Sequence, residues 1–409
     1  MKKRGITEMK KGGVVAGSDY QSGRRTRRSL VMVAAGALVS SLVIAVGGYA
    51  GLSSASATSS TSAGVKLATT RVTQAEKITT KFVAPGPSFN AKLAKGKTVW
   101  YVPTAYAIPI FHAIYSQLVA ALKTAGVSTH VCDGQGIPAD MNQCISEAIA
   151  QKAGAIIVDS MPPSIISTEV QSAEASGIPV IGGNISDSSL NAPIGMKATV
   201  AFPYRELGQL VADSIIVKSK GHANVFVAYT NDTPETTVLV NNGMLAQFKA
   251  QCPSCTVHSA SLGVANWATG LQSLTASSLT ANPNVTYVIA EYDAMGGYMI
   301  PAMRSAANSS SLGLYTLNAD LAQMQEMAAG GNFIKVDVGS SPAYEGWAFA
   351  DEALRVLTGH KAVLESVPVR LFNTSNVKSL KLTQAGFLGN SWYGTVNFQA
   401  AFKALWTVK

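Results

Sequence analysis

The feature that most constrains the fold is a regular alternation of short apolar runs and amphipathic stretches that begins at Lys97. Runs rich in β-branched and aromatic residues, as at 98–102 and 155–158, are each followed by a stretch with apolar residues at helical spacing. This order occurs four times up to Ile181 and resumes after Pro203. Such alternation is typical of parallel βαβ units with helices on both faces of a sheet. We therefore predict an α/β fold with two doubly wound parallel-sheet lobes.

The length and the charge distribution are consistent with two lobes and exclude one class of partner. With 409 residues, 47% of them hydrophobic, the chain can bury a large core. Of the net charge of +9, residues 1–28 carry +7, because nine Lys and Arg side chains there face only Glu8 and Asp19. The rest of the chain is nearly neutral. A nucleic-acid partner requires a basic face, so we expect none.

The N-terminal residues are typical of an export signal. The basic segment is followed by an apolar stretch at 30–46 and then by small residues, with Ala-Ser-Ala at 55–57 as a cleavage site. We predict a signal peptide over 1–57, of the twin-arginine type if Arg27-Arg28 is read as its motif. An uncleaved membrane anchor is the alternative, since the apolar stretch nearly reaches the roughly 20 residues that span a bilayer. Either way we expect an extracytoplasmic protein.

Residues 58–96 differ in composition from the alternating region that begins at Lys97. They are rich in Ser, Thr and Ala and contain Pro-Gly-Pro at 85–87. This composition is typical of a flexible linker, so we predict a flexible tether before the first lobe.

The four cysteines fit an oxidising compartment. Three pairings are possible, and we expect the local one, with disulfides Cys132–Cys144 and Cys252–Cys255. A zinc site is the first alternative, but Cys132 and Cys144 do not have the usual ligand spacing. A redox dithiol is the second, but it opens a helix after a strand, whereas Cys252-Pro-Ser-Cys255 precedes a β-like run.

No motif indicates catalysis, a cofactor or a metal. The stretch 91–98 is similar to a phosphate-binding loop but precedes a strand instead of following one. The stretch 134–139 is similar to a dinucleotide fingerprint, and a tight loop before a helix explains it as well. The five histidines lack metal-ligand spacing, and there is no G-x-S-x-G motif. We expect a protein that is not an enzyme and binds neither cofactor nor metal.

Five segments follow one another in a family-specific order, at 98–111, 139–158, 178–184, 285–293 and 341–346. Together they resemble the type I periplasmic (solute) binding proteins, in the sugar-binding branch that includes ribose-binding protein. The resemblance covers about residues 97–372 and implies two lobes that close over a ligand as hinged jaws.

The resemblance also implies three crossovers between the lobes. We expect them near 202–203, 340–341 and 370–371. Lobe one then comprises 97–202 and 341–370. Lobe two comprises 203–340 and 371–409, with the C-terminal tail packed on the outside.

Ligand contacts carried over from the family lie in loops after the strands, where ligands of such sheets bind. Tyr106 and Phe111 could stack on a sugar face, although Phe111 also fits the core side of its helix. The full set of ligand-binding residues that the resemblance implies is Thr104, Tyr106, Phe111, Asn184, Trp267, Tyr292, Asp293, Asn318 and Ser340.

The departures from the family concern charge. Arginines that hold sugar hydroxyls in several relatives are absent, with Ile185 at one position and Thr237-Val238 around the other. Asn318 and Ser340 stand where relatives have other polar groups. We therefore expect a small neutral solute, a sugar by resemblance, with a neutral non-sugar or aromatic solute as the alternative.

The function that the resemblance implies is the exported substrate-binding component of an ABC import system. Its permease and ATPase would be separate chains, because this sequence contains neither their membrane spans nor a nucleotide site. We expect a monomer. The alternative is a membrane-tethered ligand sensor of the same fold, which an uncleaved N-terminus would favour.

Overall fold

The computed structural model describes residues 50–185, 193, 195–365 and 367–407. The predicted basic and apolar parts of the signal peptide lie outside these residues, and the Ala-Ser-Ala at 55–57 lies within the first helix, α1 (Ala50–Ala75). None of the helices in these ranges is both long and apolar enough to cross a membrane.

Lobe one contains a five-stranded sheet in which all strands are parallel, in the order β2-β1-β3-β4-β5. Its strands are β1 Thr98–Pro103, β2 Ser128–Val131, β3 Ala155–Asp159, β4 Val180–Gly183 and β5 Met196–Val200. Its connecting helices, which follow α1 in chain order, are α2 Pro109–Thr124, α3 Pro138–Ala150 and α4 Pro163–Ala175. Each of these three helices begins with proline, whose fixed φ suits the first helical position.

Both faces of the lobe-one sheet are buried, as the apolar runs predict. Val99, Tyr101 and Ile157 point to one face, where α2 packs. Trp100 and Ile156 point to the other, against residues of α3 and α4. A parallel sheet covered on both faces requires near-continuous apolar strands, which is why these strands were evident in the sequence.

Lobe two contains a six-stranded sheet in the order β11-β10-β9-β8-β6-β7, with β11 antiparallel to β10 and the other pairs parallel. Its strands are β6 Asn224–Tyr229, β7 Thr256–Ser261, β8 Tyr287–Ala290, β9 Gly313–Leu317, β10 Ile334–Ser340 and β11 Val369–Asn373. Its helices are α5 Tyr204–Ser219, a π-helical turn Thr237–Leu245 that continues as α6 Ala246–Gln251, α7 Trp267–Ala281, α8 Asp293–Ser305 and α9 Leu321–Ala329. The prediction of two doubly wound α/β lobes is confirmed.

The chain passes between the lobes at places where one element packs in one lobe and the next element packs in the other. It passes from β5 to α5 near Phe202 and Pro203, and from β10 to α10 (Pro342–Leu357) at Ser341. Helix α10 packs on α2 and on the lobe-one sheet. The chain then returns to β11 in lobe two. All five residues of β11 pair with β10, so the expected crossover at 370–371 falls inside this strand, and the passage lies between α10 and Val369.

Residues 58–96 do not form the flexible tether expected from their composition. Helix α1 (Ala50–Ala75) packs on α5 and α6 of lobe two. Arg71 anchors it through a 2.8 Å ion pair with the buried Asp213 and a 2.6 Å hydrogen bond to Gln209. Gly64 lies against the backbone carbonyl of Gln251, where a larger residue would collide. The small residues that suggested flexibility permit this close helix packing.

The segment after α1 is also held in place. The Thr79 amide donates to the Tyr393 carbonyl at 2.7 Å, and the Phe89 amide donates to the Leu405 carbonyl at 2.9 Å. The segment therefore runs from lobe two to lobe one along the hinge side.

The C-terminal tail packs on both lobes. Its helices are α11 Gln384–Phe387 and α12 Phe398–Leu405. Tyr393 packs edge-on against Phe372 of lobe two. Further along, Trp406 stacks on Trp347 of α10 with ring centroids 5.3 Å apart. The tail thus forms a further passage between the lobes.

The cysteines pair as expected. Disulfides join Cys132 to Cys144 and Cys252 to Cys255, and these are all four cysteines of the chain. The first fixes the loop after β2 to α3, and the second closes the turn between α6 and β7.

Candidate functional site

A cavity lies between the two lobes, beyond the carboxyl ends of both sheets. Loops after β1, β3 and β4 line it from lobe one, and loops after β6, β8 and β9 line it from lobe two. The centre of a water molecule can occupy about 50 Å³ of it, and its empty space, counted with the open solvent at its mouth, is about 580 Å³. The edge where parallel strands end is the usual binding place in such sheets, so this cavity is the candidate ligand site.

Most of the residues expected from the sequence to bind ligand meet at this cavity. Those that line it are Thr104, Phe111, Asn184, Trp267, Tyr292, Asn318 and Ser340. They come from both lobes and from the hinge, and their role in binding stays a prediction.

Two expected residues lie elsewhere. Tyr106 is outside the lining and stacks on His112 with ring centroids 3.9 Å apart. Asp293 begins α8 and is fully buried behind the cavity, where one of its oxygens accepts a 2.6 Å hydrogen bond from the Asp320 amide. Its neighbours are carboxylates, so its environment is a buried acidic cluster.

The lobe-one wall contains a buried polar network centred on Asn184. Its side-chain amide donates to Asp159 at 2.8 Å and also to Glu345 of α10. Asn184 has a φ of 53°, a left-handed conformation that asparagine tolerates better than most residues. The Tyr101 hydroxyl donates to the second oxygen of Asp159 at 2.5 Å. The network holds two carboxyl groups and an amide at one side of the cleft.

Burial controls the ionisation of these two acids. It raises the pKa of Asp159 to about 6, while the hydrogen bonds from Tyr101 and Asn184 lower it. Burial first, and then the Asp159 charge, raise the pKa of Glu345 well above its usual range. The pair therefore holds protons at pH values where exposed carboxylates are ionised.

The lobe-two wall contains a second pair of acids, Glu235 and Glu291. The Tyr292 hydroxyl donates to Glu235 at 2.7 Å, and the Thr230 amide donates to Glu291 at 2.5 Å. Burial raises the pKa of Glu235 to about 8 and that of Glu291 well above its usual range. Only Glu235 of this pair lines the cavity.

Aromatic rings complete the walls. Phe202 and Tyr204 lie at the hinge with ring centroids 5.1 Å apart, and Trp267 and Tyr292 lie in lobe two at 6.1 Å. Phe111 lines the cavity from the start of α2 and is only 5% exposed, so it belongs to both the core and the site. Flat apolar rings beside polar groups suit a small polyhydroxylated ligand.

Sequence reasoning missed several lining residues. Ser160, Phe202, Tyr204, Glu235 and Glu345 were not expected there. Glu345 lies in the segment 341–346 that carries the family resemblance, and Glu235 lies in the loop after the first strand of lobe two. The rule that ligands bind beyond strand ends would have found that loop.

The titratable side chains that line the described cavity are two glutamates and two tyrosines, Glu235, Glu345, Tyr204 and Tyr292. No histidine, lysine or cysteine lines the described cavity to form a nucleophile–base pair. In the same part of the chain, no group of three or more His, Cys, Asp or Glu side chains could hold a metal ion. What the arrangement offers is hydrogen-bonding groups and aromatic surface.

Comparison with known proteins identifies the family of the chain. Residues 99–361 match the family model described as a periplasmic binding protein domain. No curated protein matches the sequence.

Solved structures of low sequence identity share the fold. A 5-methylthioribose transporter solute-binding protein from Thermotoga lettingae, in complex with 5-methylthioribose, is 17% identical, with a TM-score of 0.66 over 77% of this chain and 100% of that one. A sugar ABC transporter from Yersinia enterocolitica is 16% identical, with a TM-score of 0.64 over 80% and 98%. An ABC transporter solute-binding protein from Agrobacterium vitis with bound allitol is 17% identical, with a TM-score of 0.61 over 70% and 98%.

Proposed function

The chain belongs to the periplasmic binding protein family, and we therefore propose that it is the exported substrate-binding component of an ABC import system that captures a sugar or sugar-like polyol. Members of this family are substrate-binding proteins, and they work outside the cytoplasm. The solute would be delivered to a permease, and the permease and ATPase would be separate chains.

The observation that carries this proposal is the composition of the cavity walls. Asn184 of lobe one, Tyr292 and Asn318 of lobe two and Ser340 of the hinge all line one cavity. A ligand held by groups from both lobes stabilises the closed arrangement more than the open one. A permease that binds only the closed arrangement could therefore distinguish the loaded protein from the empty one.

The size of the cavity supports a mechanism that requires movement. The space of about 50 Å³ open to the centre of a water molecule is several times the 10–15 Å³ that one water requires, but it is narrow for a sugar. A sugar must therefore enter while the lobes are further apart and be enclosed when they close. The passages at Phe202 and Ser341 are the places where the backbone would bend.

A thermal-shift screen of the full-length chain against pentoses, hexoses, polyols and their amino derivatives tests the proposal. A ligand at 100 times its Kd adds about 2.7 kcal/mol to the free energy of unfolding, which raises Tm by several degrees. We expect at least one sugar or polyol to do so. If no member of the panel raises Tm, a sugar-capture function is contradicted.

A further inference from the structure

The cavity is lined by acids and by no base. Glu345 lines it from lobe one and Glu235 from lobe two, and no lysine, arginine or histidine lines it in the part of the chain that the structure describes. A buried carboxylate is normally matched by a cation or by several hydrogen bonds. Here the protein supplies no cation in the described lining.

Two further acids, behind the residues that line the cavity, add to this excess of acidic over basic groups. Asp159 shares the Asn184 amide with Glu345, and Glu291 follows β8 next to Tyr292. Their described partners are hydroxyls, amides and backbone N–H groups. Each bond stabilises an oxygen, but none of these partners brings a positive charge.

Three buried polar atoms of the lining have no hydrogen-bond partner. Two are acceptors, Oε2 of Glu235 and Oδ1 of Asn184, and one is a donor, Nε1 of Trp267. The three residues are at least 94% buried. A carboxylate oxygen and an amide oxygen require donors, and an ammonium group presents three donors and no acceptor. These unpaired atoms, two acceptors and one donor, therefore match a ligand that donates more hydrogen bonds than it accepts.

The aromatic rings suit the same ligand. Trp267, Tyr292 and Tyr204 all line the cavity. The face of an aromatic ring attracts a cation, and tryptophan does so most strongly. A carboxylate beside such rings also suits an ammonium group, which gains the attraction between opposite charges and the attraction to the ring faces in addition to the hydrogen bonds that a hydroxyl makes.

We propose that the cavity selects a small hydroxylated solute that carries a protonated amine, as an amino sugar or an amino polyol does, and that Glu235 and Glu345 pair with this amine. This inference rests on the proposed function and narrows its substrate class. It also explains why the arginines of several relatives are absent at Ile185 and near Thr237, since an arginine there would repel the amine.

Binding measured on matched pairs of solutes tests the proposal. The pairs are glucosamine with glucose, galactosamine with galactose, and 1-amino-1-deoxysorbitol with sorbitol, each titrated calorimetrically into the full-length chain at pH 7. N-acetylglucosamine serves as a nitrogen-bearing solute without charge. We expect at least one amine to bind ten or more times tighter than its hydroxyl partner and than the acetylated form.

The outcomes separate this inference from the proposed function. Neutral members that bind as tightly as the amines would overturn the amine selectivity and leave sugar capture standing. If no member of any pair binds, both proposals are contradicted.

Variants that remove the charge of each glutamate test whether these residues select the amine. We expect Glu235→Gln and Glu345→Gln each to reduce the ratio of the amine's affinity to that of its neutral partner at least tenfold. Glu352→Gln is the matched control, because Glu352 is a buried glutamate on the same helix as Glu345 but does not line the cavity. Unchanged preference in both cavity variants would overturn the assignment. Because the two glutamates lie on different lobes, one variant still tests it if the other fails to fold.

The pH dependence of affinity gives an independent readout. Burial raises the pKa of Glu235 to about 8, so at lower pH it must lose a proton to pair with an ammonium. Groups facing it from the surrounding elements are Tyr204 of α5, Glu291 and Tyr292 after β8, Asp159 of β3 and, on its own loop, Thr233. We expect affinity for 1-amino-1-deoxysorbitol, an alkylamine protonated throughout this range, to rise from pH 6 to 8 by up to about tenfold per unit. Affinity for sorbitol should not rise. A flat profile for the amine, or an equal rise for both, would overturn the proposal.

Discussion

At the scale of single residues, Tyr292 links the aromatic and acidic parts of the cleft. Its ring lies beside Trp267, and its hydroxyl donates to Glu235 at 2.7 Å. Both partners line the cavity. The hydroxyl therefore positions the Glu235 carboxyl, while the ring contributes contact surface.

We expect Tyr292→Phe to weaken binding of the best ligand by about tenfold while Tm without ligand falls by no more than a few degrees. The ring is kept, but a hydrogen bond to an acid of the site, worth about 1.5 kcal/mol, is lost. Titration calorimetry measures the affinity. Tyr298→Phe is the control, because Tyr298 is an exposed tyrosine on α8, which begins directly after Tyr292, and lies outside the site. Equal affinities for Tyr292→Phe and the parent would contradict the role given to this hydroxyl.

A second cluster of acids lies behind the cavity and affects stability. Asp293, Asp320 and Asp337 are all at most 2% exposed, and burial first, and then the Asp337 charge, raise the pKa of Asp293 well above its usual range. Burial raises the pKa of Asp320 and of Asp337 to about 7. The folded state therefore binds protons that the unfolded chain, with an aspartate pKa near 3.8, has already lost. Stability contributed by these protons is present at acidic pH and declines as the pH rises from about 4 to 7.

We expect Asp337→Asn to raise the free energy of unfolding at pH 8 by about 1 kcal/mol or more and to change it much less at pH 5. The amide keeps the oxygen that accepts from the Ala319 amide and replaces the titrating proton by a permanent N–H. Chemical denaturation at the two pH values measures this difference. Asp140→Asn, at a carboxylate of α3 outside the cluster, is the control and should show no such gain. Destabilisation by Asp337→Asn at both pH values would refute the argument.

At the residue scale, the sequence predicts which side chains face the cavity where position along a strand determines their direction, and their role in binding stays a prediction. Asn184, Tyr292 and Asn318 each follow the carboxyl end of a strand, and that place can be read from the apolar run before it. Glu235 lies in a loop after a strand, which the strand-end rule would have found, whereas Glu345 was missed because nothing in the sequence distinguishes a buried glutamate from one on a solvated surface. Only the packing of α10 on the sheet shows that Glu345 is enclosed.

At the scale of elements, helix α1 is the largest difference from expectation. Its contact surface is made of small residues such as Ala68 and Gly64, so it has no evident stripe of large apolar side chains. Ser, Thr and Ala in this proportion also occur in linkers, and composition could not separate the two cases. The deciding contacts, such as Arg71 with Asp213, join residues far apart in sequence.

We expect Gly64→Ala to destabilise the protein by about 1–3 kcal/mol, because its methyl group would collide with the Gln251 carbonyl. In an undocked helix the same change would stabilise by up to about 1 kcal/mol. Gly297→Ala on α8 is the matched control and should stabilise, since nothing lies near its added carbon. Denaturant unfolding gives both values. Stabilisation by both changes would show that α1 does not dock as described.

The C-terminal helix α12 is the second element that packs more closely on the rest of the protein than the sequence predicted. Trp406, directly after it, is fully buried, stacks on Trp347, and donates from Nε1 to Asp351 at 2.5 Å. The apolar tail was expected on the outside of the molecule, and its aromatic residues explain why it attaches firmly to α10.

We expect Trp406→Ala to reduce the free energy of unfolding by about 3–5 kcal/mol, as for other large buried side chains. Trp406→Phe retains a ring against Trp347 and loses the bond to Asp351, so its effect should be smaller, about 1–2 kcal/mol. Denaturant unfolding compares the two variants. A loss below about 1 kcal/mol for Trp406→Ala would mean that the tail contributes little to the fold.

At the scale of the whole molecule, the two lobes are joined by more than the three crossovers of the prediction. The segment after α1 runs along the hinge from lobe two to lobe one, and the C-terminal tail does the same. The repeated strand–helix pattern was sufficient to predict two lobes. It could not predict these added passages, because they consist of irregular chain and short helices without a repeating pattern.

The third crossover shows a similar limit. Strand β11 is five residues long and antiparallel, so it breaks the parallel repeat on which the expected boundary depended. Its pairing with β10 assigns Val369 and Arg370 to lobe two. The lobe to which a strand belongs depends on which strand it pairs with in the folded molecule, so no local sequence pattern marks this boundary.

Capture of a solute requires that one cleft bind it with groups from both lobes. A crystal structure of the chain with the solute that raises Tm most tests this requirement. We expect the solute between Asn184 of lobe one and Tyr292 and Asn318 of lobe two, within hydrogen-bond distance of both lobes, with its amine, if it has one, beside Glu235 or Glu345. A solute bound to one lobe alone, or at a surface away from these residues, would contradict capture between the lobes.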